Sequence, residues 1–155
     1  MSNRLKLSMA AIAATAIGFG AMAPSPAQAK VEGDTITFGV AVSLTGRYAV
    51  NGKHTKNGYD LAVKMINEKG GITVGGKKYK LAVKYYDDES TAARATQLAE
   101  RLIQQDKIKF VLGPYSSGMT KAIAPVMEKY KIPMVEGNGA SRSIFNQGFR
   151  YTFAV

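Results

Sequence analysis

The sequence predicts an α/β fold, a doubly wound parallel sheet with helices on both of its faces. Two observations carry this. Short β-branched or apolar runs alternate with longer segments of helical period, in the order strand, helix, strand, helix, strand, helix, strand. The changes of period fall at clusters of Gly, Pro, Asp and Ser, the residues that turn a chain.

Residues 1–29 stand apart. Arg4 and Lys6 precede an uncharged, Ala-rich run from Leu7 to Ala23, followed by Pro24, Pro26 and the small-x-small site Ala27-Gln28-Ala29. This is the pattern of a secretory signal peptide. The run is mostly Ala and Gly and falls short of the roughly 20 strongly apolar residues that a membrane span needs. Cleavage after Ala29 leaves residues 30–155 with a formal charge of +8, against +10 for the whole chain. The sequence has no cysteine, so an exported domain of this size must be held by its hydrophobic core, and a cysteine-linked lipid anchor is excluded. A soluble periplasmic protein is expected. The basic residues lie along helix faces and loops without an aromatic-interleaved patch, which reads as solvated surface and no nucleic-acid partner.

In chain order, Ile36 to Val42 is a β-branched run that suits a strand buried on both faces. From Lys53 to Lys69, Gly58, Leu61, Ala62, Met65 and Ile66 fall on one helical stripe, stopped by Gly70-Gly71. A hairpin turning at Gly75-Gly76 leads into a second main strand, Tyr79 to Tyr86. The next helix carries Ala95, Leu98, Ala99 and Leu102 at the spacing of a face packed on a sheet. Lys109 to Leu112 is the third strand. The helix after it turns Ala122, Ile123, Val126, Met127 and Tyr130 inward, with Pro125 expected to kink it or shift its start. Lys131 to Val135 and Phe149 to Val155 complete the strands.

Right-handed crossovers place all the carboxyl ends of such strands along one edge, where open α/β sheets bind ligands. Four loops emerge there: residues 43–48, 87–90, 113–118 and 136–141. The third offers Tyr115, Ser116 and Ser117 beside a helix N-terminus, whose unpaired N–H groups favour an anion. The fourth, through Asn138, Gly139, Ala140 and Ser141, is small-residue backbone whose amides could approach a bound carboxylate. The same residues also read as a serine helix cap and glycine turns, and spacing alone does not choose.

Enzyme motifs are weak. No G-x-S-x-G elbow is present, and His54, the only histidine, follows a different strand from the serines. Asp87-Asp88-Glu89 precedes a helix start, where carboxylates suit the dipole, and no second ligand set accompanies it, so no metal is expected. Neither phosphate-binding glycine motif occurs, and no cofactor is implied.

The segments ITFGVAVSLTGRYAVNG, NGYDLAVKMINEKGGI, YKLAVKYYDDEST, FVLGPYSSGMTKAIAPVMEKYKIPMVEG and FRYTFAV, in this order, resemble the start of the periplasmic branched-chain amino-acid-binding proteins. These are type I solute-binding proteins that deliver ligand to a membrane ABC permease. The resemblance covers Thr35 to Val155 and implies a periplasmic-binding-protein-like I fold, residues 30–155 forming the first segment of a flavodoxin-like N-terminal lobe. It implies that Ser117 holds a ligand carboxylate, that Asn138 and Ala140 fall on the segment gripping ammonium and carboxylate, and that Tyr48 and Asn51 lie near the side-chain pocket. Ala140 stands where amino-acid binders carry a threonine, which opens the ligand class to aromatic acids, amides and other small acids. Family members are more than twice as long, so this lobe is expected to be incomplete, the second lobe absent, and the complete protein a monomer. A serine-dependent hydrolase of similar architecture and a ligand-sensing ectodomain are the alternative readings.

Overall fold

The computed structural model describes residues 31–155, so the expected signal peptide lies outside the described residues. In chain order the elements are β1 (Val31–Glu32), β2 (Thr35–Val42), α1 (Ala49–Glu68), β3 (Ile72–Val74), β4 (Lys77–Asp87), α2 (Ala92–Gln104), β5 (Val111–Leu112), α3 (Ser117–Tyr130), β6 (Met134–Glu136), α4 (Arg142–Phe145) and β7 (Thr152–Ala154). The sheet runs β3-β4-β2-β5-β6-β7, with β1 antiparallel on the start of β2. Strands β2, β4, β5, β6 and β7 are mutually parallel, so their carboxyl ends share one edge, as the alternation of elements predicts. The Gly75-Gly76 hairpin forms where expected, both glycines at positive φ.

Side-chain alternation separates the two faces. On one, Gly39 leaves room for α2, because a Cβ there would sit 3.0 Å from both Leu102 and Ile108. On this face α2 and α3 pack together, burying Ala95, Leu98, Ala99 and Leu102 against Ile123, Val126 and Met127. This is the main core. On the opposite face lies α1, tied down largely by polar contacts: the Asn67 side chain bonds both N–H and C=O of Leu81 at 2.8 Å, and Tyr85 donates to Asp60 at 2.8 Å.

Three expectations are corrected here. Helix α1 begins at Ala49, four residues before Lys53, and its apolar stripe does not face the sheet: Leu61 is 58% exposed and Met65 49%, while the buried positions are Gly52 and Thr55. Periodicity finds an apolar stripe but not what covers it. Among the described residues no helix lies over β5, β6 and β7 on this side, and Phe153 is 50% exposed. Second, β6 starts at Met134 rather than Lys131, because Lys131 ends α3 in the left-handed conformation, φ 55°. The outer strands are likewise shorter than their β-rich runs: β5 is Val111–Leu112 and β7 Thr152–Ala154. Third, α3 runs through Pro125 without shifting its start from Ser117. The short β1 and α4 carry too few residues for a period to register.

Candidate functional site

At the carboxyl edge the first two loops brace each other. Asp87 accepts from the N–H groups of Leu44 and Thr45 and from Thr45 Oγ1 at 2.7 Å. Ser43 Oγ donates to buried Asp88 at 2.6 Å, and Ser90 Oγ donates to Thr45 C=O at 2.6 Å while accepting from Tyr48 N–H at 3.0 Å. Desolvation alone would raise the Asp87 pKa, but the Thr45 hydroxyl and the N–H groups of Glu89, Leu44 and Thr45 hold it below the ordinary value. Burial pushes the Asp88 carboxyl up. Among the described residues no three His, Cys, Asp or Glu side chains gather at metal-binding spacing.

The other two loops meet across the third strand's end. Ser117 Oγ accepts from Ser141 N–H at 3.1 Å, which joins the serine loop to the small-residue turn. Ser116 plays another part, since at φ 81° its hydroxyl caps α3 by accepting from Met119 N–H. Of the two serines, only Ser117 keeps its hydroxyl hydrogen free of a protein acceptor among the described residues. Ser141 Oγ shares a hydrogen bond with Ser143 at 2.6 Å.

The turn after β6 corrects the sequence reading. The N–H groups of Asn138 and Gly139 do not face outward; both donate to the carboxylate of Glu136, Gly139 at 2.6 Å. Glu136 is 1% exposed, and its Oε2 lies 2.5 Å from Thr120 Oγ1. Burial lifts its pKa, opposed by the Thr120 hydroxyl and the turn's N–H groups. Between the pinned amides of Gly139 and Ser141, the N–H of exposed Ala140 has no protein acceptor among the described residues. The signal for Glu136 is present in the sequence, as an acidic residue closing a strand immediately before Gly137-Asn138-Gly139.

Tyr48 and Tyr115 meet edge to face, ring centroids 5.6 Å apart, and the Arg47 guanidinium lies 4.5 Å above Tyr48. Behind them, Asn51, Tyr115 and Asn138 line a cleft of about 470 Å³ together with His54, Tyr59 and Gly137. Tyr59 closes its floor by donating to Gly113 C=O at 2.8 Å. Sequence reasoning leaves His54 and Tyr59 out of the site. Neither serine hydrogen-bonds to His54, so the pairing a serine nucleophile needs is not formed.

A family model described as periplasmic binding protein matches residues 35–155. Among curated proteins, the Leu/Ile/Val-binding protein homolog 3 of Brucella melitensis is 31% identical over 151 residues, which is 97% of this chain and 37% of the relative. The chain thus spans little more than a third of that relative's length. Among solved structures, the branched-chain amino acid transporter substrate-binding protein LivJ of Streptococcus pneumoniae, in complex with isoleucine, superposes with a TM-score of 0.70 at 31% identity, covering 77% of this chain and 33% of that one. A solute-binding protein of an ABC transporter from Rhodopseudomonas palustris, in complex with 3,4-dihydroxybenzoic acid, gives 0.65 at 30% identity, covering 78% and 31%.

Proposed function

This chain belongs to the periplasmic binding protein family, and from that premise we propose that it forms the ligand-facing edge of a solute receptor's first lobe, capturing a small carboxylate for a membrane ABC permease. The observation that carries the reading is the contact between Ser117 and Ser141. Because Ser117 Oγ accepts from Ser141, its O–H is directed elsewhere, and the Ala140 N–H and the first N–H groups of α3 stand beside it. That is a donor set for an anion, strengthened by the helix dipole. Residence in the periplasm, with residues 1–29 as export signal, goes with this role.

Of the two ligand classes bound by the relatives, the Tyr48–Tyr115 pair with Arg47 favours an aromatic carboxylate, whose ring can stack while its charge is held by hydroxyl and amide donors. Calorimetric titration of the chain with 4-hydroxybenzoate, leucine and the uncharged 4-hydroxybenzyl alcohol tests both statements. The acid is expected to bind more tightly than the alcohol, and Ser117→Ala to weaken it by about 1–3 kcal/mol. Equal affinity for acid and alcohol, or no loss on substitution, would refute the carboxylate site; tighter leucine binding would refute the aromatic preference alone.

A further inference from the structure

The edge opposite the candidate site carries the chain's excess of positive charge. The turns that lead from helices into strands bring Lys69, Lys78, Lys107, Lys109 and Lys131 to the amino ends of the parallel strands, and none of them makes an ion pair among the described residues. The carboxylates at this end are already engaged: Asp34 with Lys77, Glu68 with Lys64, Asp106 with Lys84, and Glu128 with the Arg150 N–H. The loops of the carboxyl edge carry Asp87, Asp88, Glu89 and Glu136 against Arg47 and Arg142. The lobe is therefore electrically polarised along its strands.

Two of these lysines sit where a side chain is costly. Lys107 and Lys131 adopt φ of 59° and 55°, the left-handed region in which glycine is the cheap choice after a helix. We propose that this lysine pole is a docking surface for an anionic phospholipid bilayer, which would hold the lobe with its ligand edge turned toward the aqueous side. Lysine, a compact hydrated charge on a flexible stem, suits the diffuse field of a headgroup layer, whereas arginine's planar fork suits fixed bidentate partners. The exposed groups are spread over three separate turns, which fits a broad surface better than a single small anion. This inference does not depend on which solute the opposite edge binds.

The test is co-sedimentation of the full chain with mixed phosphatidylglycerol/phosphatidylcholine vesicles, and with phosphatidylcholine alone, at low and physiological salt. The triple variant Lys78→Gln, Lys107→Gln, Lys131→Gln is compared with an equally discharged control, Lys53→Gln, Lys121→Gln, Arg142→Gln, whose sites lie toward the carboxyl edge; residues 1–29 are the same in both. With each lysine contributing a few-fold, the pole triple is expected to lose affinity for anionic vesicles on the order of a hundredfold, and the control far less. Binding should also fall as salt screens the charges. Equal losses in the two triples, equal binding to neutral vesicles, or displacement by polyglutamate at matched charge would each overturn the proposal. Thermal melts of the variants separate loss of binding from loss of fold, and the pair Lys69→Gln, Lys109→Gln repeats the comparison should the triple be unstable.

Discussion

Replacing Glu136 by glutamine should cost the fold little and remove a pH dependence. Thr120 Oγ1 has one hydrogen but two acceptors within reach, Ser116 C=O at 2.9 Å and Glu136 Oε2 at 2.5 Å. A proton on Oε2 resolves the conflict: Glu136 donates to Thr120, Thr120 donates to Ser116, and Oε1 still accepts from Asn138 and Gly139. A glutamine with its Nε2 toward Thr120 makes the same pattern without needing the proton. The carboxyl's folded-state pKa is raised above its unfolded value by burial. Its contribution to stability is therefore complete below the unfolded value, near 4.5, and is lost as pH rises through the folded one. Each tenfold increase in proton affinity on folding is worth about 1.4 kcal/mol. Urea unfolding of both proteins from pH 4 to pH 8 should show the glutamine variant gaining on the parent as pH rises, then levelling off. Glu136→Ala leaves the buried Gly139 N–H without a partner and should cost about 1–3 kcal/mol at every pH. A stability difference between glutamine variant and parent that does not change with pH would refute the reasoning.

The remaining predictions concern the same edge. Gly52→Ala should destabilise the chain by about 1–3 kcal/mol in urea unfolding, reversing the usual gain of alanine in a helix, because the new Cβ would lie 1.8 Å from Ser43 C=O. Gly113→Ala should behave alike, its Cβ falling 2.2 Å from Glu136 Oε2, and should also loosen the Asn138–Gly139 turn, seen as faster amide exchange there. Asp87, whose folded pKa is depressed, stabilises above its unfolded value and loses that contribution as pH falls; Asp87→Ala should flatten the acid limb of stability against pH, and an unchanged limb would count against the brace.

How far the sequence can be read differs by element. Helix α2 is legible because its four apolar positions face one partner, the β2–β5 side of the sheet, and all four are buried. Helix α1 is legible as a helix but not as packing, since period says that a stripe exists while burial depends on what lies across from it. Strands β5 to β7 fall in the expected order but end sooner, because β propensity continues past the point where a neighbouring strand is available to pair. At the site, the meeting of the serine loop with the turn after β6 follows from topology. The division of labour between Ser116 and Ser117 does not: it depends on one residue's left-handed φ. The capture of the turn amides by Glu136 also escapes a sequence reading, because a carboxylate's hydrogen-bond partners are set by backbone geometry that a residue pattern does not encode.

The bare side of the sheet has a calorimetric consequence. Phe153, Val135 and the α1 stripe already meet water in the folded state, so unfolding hydrates less new hydrocarbon than the chain's composition suggests. The heat-capacity increment should then fall below the usual ~12–15 cal/mol/K per residue. A smaller increment flattens the curve of free energy against temperature and moves cold denaturation further from reach.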